Sequence, residues 1–267
     1  MCKDKSVKTL NGLGYSPIKL PKSDEYYYPL LWICRQNGGL SRIGRLSNIV
    51  QGSAPMPAIT PNQAVASISG LSTGQIELGL GLSFLEDILN FFSAQTIKLD
   101  AAFKNAKNIE FTYVDVLDDS VFPVELGNYL QKEKPNGSCS YFNKVQEQDQ
   151  SFIITEILKS KSLKIAAYNE SNVKLDLDLG AIKKLLNIAP KVNVQSVDSK
   201  TISFSGDKYL AFAFKAICLW VEKNSSGDQF FKFSPERDAG PLRLAATPPE
   251  SNYIYFLKNE PVEISEI

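Results

Sequence analysis

Four cysteines and two adjacent carboxylate pairs are the residues best equipped for chemistry in this chain. The cysteines stand at 2, 34, 139 and 218. Their spacing makes no C-x-x-C pair, and neither a disulfide framework nor a metal site is expected from them. Cys34 and Cys218 lie in apolar runs and read as inert core thiols, whereas Cys139, in "PNGSCSY", reads as a solvent-exposed turn residue. Histidine is absent, which removes Ser-His-Asp and Cys-His catalysis and the mixed Cys/His zinc sites. Neither G-x-G-x-x-G nor G-x-x-x-x-G-K-[ST] occurs, so the simple nucleotide-binding readings fall as well. The pairs Glu86/Asp87 and Asp118/Asp119 could serve acid–base work. Sequence neighbours point to different sides, however, so both pairs read as solvated charges. No enzyme, metal or nucleotide cofactor is expected. That leaves Cys2, directly behind the initiator methionine and followed by Lys3, Lys5 and Lys8. It reads either as an incidental exposed thiol or as an S-acylation site. One acyl chain gives marginal membrane affinity, and each nearby lysine adds up to about 1 kcal/mol at an anionic surface.

The elements around these residues are those of a mixed α and β chain. Its 267 residues suffice for one large domain or two modest ones, and 29 basic residues balance 29 acidic ones. No global field therefore points to nucleic acid. A short helix is predicted over 4–12, then a strand in "YSPIKLP" and an apolar strand over 28–36. Leu40, Ile43, Leu46, Ile49 and Val50 fall at helical spacing with Ser41 placed to cap. A helix over 83–94 presents Leu82, Leu85, Ile88, Leu89 and Phe92 on one face. Two or three strands are predicted between 96 and 117, including "NIEFTYVDV", and a short helix follows Pro123. From 140 onward the pattern is β. "SFIITEIL" and "SLKIAAYN" read as two strands, and "KTISFSG" and "KYLAFAFKAICLWVEKN" as two more, with a short helix over 180–190 between the two sets.

Three segments allow two readings each. In "VKLDLDL", Val173, Leu175, Leu177 and Leu179 alternate with Lys174, Asp176 and Asp178. That is a strand resting its leucines on a soluble core, or one that re-forms in a membrane with leucines toward lipid. The second case needs a closed ring of several chains, because an open edge in lipid leaves backbone groups unsatisfied. No segment reaches the roughly 20 apolar residues of a spanning helix. The nearest, at 209–221, is broken by Lys215 and reads as a buried strand. Nor does an apolar run precede a cleavage site at the N-terminus, so a cytoplasmic location is expected. Finally, prolines at 235, 241, 248 and 249 mark an exposed linker over 234–250. Beyond it, Tyr253, Ile254, Tyr255, Phe256 and Leu257 would each contribute about 1.5–3 kcal/mol if buried. This is comparable with the roughly 1–2 kcal/mol per residue that ordering costs. Such a tail is marginal as a free ligand, but a tether gives it an effective concentration on the order of mM. It reads as a latch released by proteolysis, or as the last edge strand of the sheet.

Taken in order, Cys2, "LGYSPIKLP", "PLLWICRQNGGLSRIGRLSNIV", "ASISG", "GLGLSFLEDIL", "FTYVDV" and "ELGNYL" resemble the bacterial gasdermins, single-domain relatives of the animal pore-forming gasdermins. The resemblance covers most of 1–130. Through 140–222 it rests on the β-rich pattern, and the tail fits the family plan. It implies an α+β fold, a twisted and mainly antiparallel sheet with surrounding helices, divided into a pore-forming domain (1–233), a protease-sensitive linker (234–250) and an autoinhibitory peptide (251–267). The latent form would be a cytoplasmic monomer, with Tyr253–Leu257 as autoinhibitory contacts. An activating protease, encoded nearby, would cut in 237–249, first at Arg243 or Leu244 and otherwise at Arg237 or Asp238. The freed body would form a homo-oligomeric ring in inner-membrane lipids and kill the cell as an anti-phage defence. Hairpins near 97–117 and 152–179 would insert, and the family's palmitoylated cysteine maps onto Cys2. Against this stands a soluble ligand-binding or scaffold protein whose C-terminal segment completes its own sheet.

Overall fold

The computed structural model describes residues 5–23, 25–36, 39–93, 103, 105–140, 142–143, 151–178, 180, 182, 193–235 and 264–266. In chain order these form α1 (Lys5–Gly12), β1 (Ser16–Ser23), β2 (Leu31–Gln36), β3 (Gly39–Arg45), α2 (Leu46–Ile49) and β4 (Val50–Gln51). There follow β5 (Thr60–Ala64), β6 (Ser72–Glu77), α3 (Leu78–Ser93), β7 (Asn108–Val114), β8 (Leu117–Ser120), α4 (Pro123–Lys132) and β9 (Lys134–Pro135). The remainder are β10 (Ser151–Tyr168), β11 (Asn193–Asp198), β12 (Thr201–Lys223), β13 (Gln229–Pro235) and β14 (Ile264–Glu266). Twelve of the strands make one mainly antiparallel sheet, open rather than barrel-closed, with the helices around it; β4 and β9 form a separate small pair.

The spine of the sheet is the antiparallel pair β10–β12. Each of its outer edges is divided among three partners. On β10 these are β2 at 151–153, β8 at 156–159 and β7 at 162–168. On β12 they are β11 at 201–205, β1 at 210–214 and β13 at 217–223. Register shifts after Ile154 and Ser160 separate the sections, and a third, after Leu158, falls within the middle one. Such bulges bend a strand and increase its twist, which lets one long strand serve three differently angled neighbours. Hydroxyls occupy the irregular positions: Thr155 Oγ1 donates to the Lys215 carbonyl at 3.3 Å, and Ser160 Oγ bonds Ser162 N at 3.0 Å.

This corrects the division of 151–168 and 201–223 into four strands. The polar stretch Lys159–Ser162 has turn-like composition, but it is a bulge within β10. Opposite it, Gly206–Tyr209 are accommodated against Lys161 alone, since Ser205 pairs with Ser162 and Leu210 with Ser160. A second correction concerns Leu40–Val50. Helical spacing there predicts a helix, yet Gly39–Arg45 is β3, paired antiparallel with β2. Pairing along β2 outweighs the local period, and Ser41 sits opposite Cys34 rather than at a cap. The helix shrinks to the single turn of α2, entered where Arg45 N donates to Asn48 Oδ1 at 2.7 Å.

A third correction is "VKLDLDL". Lys174 forms one isolated bridge with Tyr168, and residues 175–178 make no strand. Val173 is 52% exposed, while Leu175 and Leu177 are half-buried against the core with α3; Leu179 lies outside the described residues. The reason is topological: along 162–166 both edges of β10 are already taken by β7 and β12, which leaves room for the bridge at Tyr168 and no more. Alternation without a free edge makes no ladder.

Helices cover the sheet in patches. α1 ends with Gly14 at φ 86° and Tyr15 N donating to the Leu10 carbonyl at 2.8 Å, a left-handed cap that turns the chain into β1. α3 starts five residues before the predicted 83, and buries Leu82 and Leu85 on Ile109, Phe111, Ile165 and Phe204. α4 begins with proline, carries Glu125 in its first turn and Lys132 in its last, and packs Leu126, Tyr129 and Leu130 around Trp32, Phe142 and Phe231. Its Gly127 is required by contact, because a Cβ there would lie 2.7 Å from Phe233 Cζ. Gly127→Ala is expected to destabilise the fold by about 1–2 kcal/mol, overpacking outweighing the better helix propensity of alanine. Thermal melting checks this; an unchanged midpoint would mean the Phe233 ring moves aside.

Candidate latch edge and buried charge cluster

Two places in this fold concentrate polar or strand-pairing groups in ways a plain core does not need. The first is the sheet edge at β3. Its inner side pairs with β2, and its outer side takes β14, in parallel, with Ile264 opposite Leu40 and Glu266 opposite Arg42. Ile264 is 3% exposed and belongs to the core cluster of Tyr27, Leu31, Ile33, Leu40, Ile154 and Phe214. The hydroxyl of buried Tyr27 donates to the Ile264 carbonyl at 3.2 Å. Above this edge the Arg42 guanidinium lies 4.6 Å from the Tyr26 ring, and Arg45 Nε donates to the Tyr28 hydroxyl at 3.2 Å. Within the described strand, Glu266 stands opposite Arg42, so an acidic residue meets a basic one at the end of the pairing.

Reaching that edge is a matter of distance. From β13, the chain must pass β12, β10, β2 and β3 to arrive at β14. Five steps of about 4.8 Å make roughly 24 Å, and residues 236–263 could extend over more than three times that.

The second place is a cluster where β1, β8, β10 and β12 converge. Lys159 Nζ lies 2.6 Å from Asp119 Oδ2, with the side chains 5% and 14% exposed. Asp119 Oδ1 also accepts the Asn62 amide at 2.8 Å. Lys215 Nζ bonds Glu156 Oε2 at 2.8 Å and sits 4.0 Å from the centre of the Tyr15 ring, whose hydroxyl donates to Glu156 Oε1. Burial, followed by the Glu156 carboxylate, pushes the Tyr15 hydroxyl far up. Asp118, 8% exposed, is itself raised, chiefly by burial and further by Glu156 and Asp119. Asp118/Asp119 is therefore no solvated pair, and Glu86 too is buried. Strand pairing places Asp118 and Asp119 opposite Leu158 and Ile157, a setting invisible to adjacency alone.

Of the cysteines, Cys34 and Cys218 are buried as expected, and burial pushes the Cys34 thiol up. Cys139 is in a turn but half-buried against the α4 core rather than exposed. Cys2, Arg237, Asp238, Arg243, Leu244 and the contacts Tyr253, Ile254, Tyr255, Phe256 and Leu257 lie outside the described residues. The anchor that sequence reasoning missed is Ile264. Its signal was the alternation of Val262 and Ile264 with glutamate and serine, overshadowed by the more apolar 253–257.

An open groove of about 710 Å³ lies beside the start of α3 and the end of β10, where Lys107 and Glu170 pair at 3.1 Å on exposed side chains. Among the described residues no cluster of His, Cys, Asp or Glu could hold a metal ion, and no helix is long and apolar enough to cross a membrane.

Comparison with known proteins gives the same answer from sequence and from fold. Residues 18–228 match the model of the Bacterial Gasdermin Family. The chain is 30% identical to the gasdermin bGSDM of a Desulfuromonadales bacterium over 83% of each chain. It is 27% identical to that of Lysobacter enzymogenes, covering 83% of this chain and 82% of the other. The solved structure of a bacterial gasdermin from Bradyrhizobium tropiciagri superposes with a TM-score of 0.59 at 17% identity, over 86% of this chain and 92% of that one. With the family model spanning most of the chain and an open antiparallel sheet shared with a solved member, this protein belongs to the bacterial gasdermins, a family of pore-forming proteins and not of enzymes.

Proposed function

We propose that this chain is a latent pore-former whose C-terminal segment, ending in β14, holds the body inactive until a protease cuts the linker. The observation that carries this reading is β14 itself. A three-residue strand, buried through Ile264 and tied to the body by a long tether, closes the β3 edge. Tethered, it docks against an effective concentration on the order of mM; cut free, it faces dilution. The body is 1–233, the linker 234–250 and the inhibitory peptide 251–267. The scissile bond follows Arg243 or Leu244, with Arg237 and Asp238 as second choices, and the protease is encoded nearby. Release allows the body to oligomerise in the bacterial inner membrane as a β-barrel ring, which kills the cell in defence against phage.

A palmitoyl group on Cys2, with Lys3, Lys5 and Lys8, supplies membrane attachment, since one chain and a basic patch together exceed the marginal affinity of either. The two regions assigned to insertion, near 97–117 and 152–179, contain β7 and β10, which pair along their length from Asn108–Tyr168 to Val114–Ser162. That adjacency suits a joint rearrangement. Val173, Leu175, Leu177 and Leu179 would gain their strand pairing only on insertion.

The parallel docking of β14 also suits a soluble binding protein that needs its last strand to complete the sheet. Dye leakage from liposomes of bacterial lipids, comparing intact chain with chain cut once in 237–249, separates the two. Leakage only after the cut is expected. Well-folded cut protein that leaves the liposomes sealed, with Cys2 acylated or not, favours the soluble reading.

A further inference from the structure

Among the described residues, the charge cluster where β1, β8, β10 and β12 meet is not balanced. Asp118, Asp119 and Glu156 face Lys159 and Lys215, and each lysine already has its own carboxylate: Lys159 with Asp119, Lys215 with Glu156. Asp118 accepts a hydrogen bond from Ser120, and among the described residues the charges facing it are Asp119 from its own strand, Glu156 from β10 and Lys215 from β12, with the Tyr15 hydroxyl as a further titratable neighbour. Its neighbours in register are uncharged, Leu158 on β10 and Gln63 on β5. A third carboxylate among two lysines, almost shielded from water, is destabilising whenever it is ionised.

We propose that Asp118 is a built-in instability of the latent fold, a surplus buried carboxylate at the joint of the β10–β12 spine that favours rearrangement of the sheet. The location gives the inference its functional content. Register on β10 breaks on both sides of the section that pairs with β8, after Ile154 and after Ser160, and once within it, after Leu158. Tyr15, which joins α1 to β1, is bonded into the same cluster through Glu156. Moving β10 relative to β8 and β12 therefore separates Asp118 from Glu156 and lets water reach it, so the penalty disappears along the direction of unfolding. The consequence for activation rests on the pore-forming reading; the consequence for stability does not.

The sign follows from linkage. A carboxyl raised in the folded chain contributes stability that is full below its unfolded pKa and lost as pH rises through the folded one. The chain has no histidine, so from pH 7 down to about pH 4, the ordinary carboxylate range, the change in stability is carried mainly by carboxyls, and these two ends are the comparison. The experiment is thermal melting of the full-length chain at both pH values, as wild type, Asp118→Asn and Asp118→Ser. At pH 7 the neutral variants are expected to melt about 2–4 °C above wild type, and at pH 4 the gap should narrow. If neither variant folds, or neither gains at pH 7, the proposal is overturned, because removing a destabilising charge does not unfold a protein. A gain equal at both pH values overturns it too. After the linker cut, Asp118→Asn should leak liposomes several-fold more slowly than wild type, and equal rates overturn the link to activation. Stability shifts without leakage from any cut protein would leave Asp118 as assigned and remove the pore-forming reading instead.

Discussion

Full-length protein carrying Ile264→Asp is expected to permeabilise liposomes of bacterial lipids without any cut. The side chain sits 3% exposed among Tyr27, Leu40, Ile154 and Phe214. Aspartate there forfeits the roughly 1.5–3 kcal/mol of isoleucine burial and adds the cost of desolvating an unpaired carboxylate, several kcal/mol more. A strand of three paired residues has no reserve to absorb this. An effective concentration on the order of mM corresponds to only about 4 kcal/mol of binding at balance, so the docked fraction should collapse. Hydrogen exchange supplies a second readout: amides of Leu40–Arg42, which face β14 across the edge, should exchange faster in the variant. Ile264→Ala, with an expected loss of about 2–5 kcal/mol, should behave likewise but less completely. Faster exchange at the edge with no leakage would sink the latch while leaving the strand pairing intact. Unchanged exchange would mean that Ile264 does not hold β14 at all.

The second large effect is expected at Asp119. Its carboxylate is the partner of Lys159, whose side chain is 5% exposed, and it also receives the Asn62 amide. Asp119→Ala leaves an ammonium buried in the spine of the sheet. The Tyr209 ring, 5.1 Å from Lys159 Nζ, is no substitute for a carboxylate. Breaking a buried pair by removing one member costs about 3–5 kcal/mol, or a fall in melting temperature of about 6–15 °C in a domain of this size. Lys159→Met should cost less, because Asp119 is less buried and keeps its amide donor. The double variant Lys159→Met, Asp119→Leu should recover much of the loss. Thermal melting of the four proteins decides the matter: equal losses from the two single changes would mean the pair is effectively solvated.

These two residues also show where sequence reading reaches its limit. Patterns confined to one element were legible: the apolar face of α3, the alternation of Ile109, Phe111 and Tyr113 in β7, the proline start of α4. What depended on a partner was not. Lys159–Ser162 and Gly206–Tyr209 have the composition of turns, and only the pairing of β10 with β12 turns them into bulges. "VKLDLDL" has cleaner alternation than much of the real sheet but meets a spine whose edges are full. Leu40–Val50 kept a helical period and still became β3, since β2 offered an edge beside it. Asp118 and Asp119 looked like surface charges because the strand that buries them, and the lysine that pairs with Asp119, lie far along the chain.

The tail illustrates the same point. Apolar density favoured Tyr253–Leu257, but the contact seen at the edge is made by Ile264, whose burial depends on an unfilled strand position at β3. No count of hydrophobic residues contains that position.

The parallel direction of β14 has a further consequence, for how such a protein can change over generations. β14 runs in the same direction as β13 and stands five strand spacings away, so a long connection is obligatory, and its sequence is constrained by reach more than by identity. Recognition at the edge is carried by main-chain pairing and one deeply seated side chain. The stretch 236–263 is then free to drift, duplicate or be exchanged, so long as it still spans the five strand spacings from β13 to β14. On the latch reading, the connection could be rewritten without touching the edge that β14 closes.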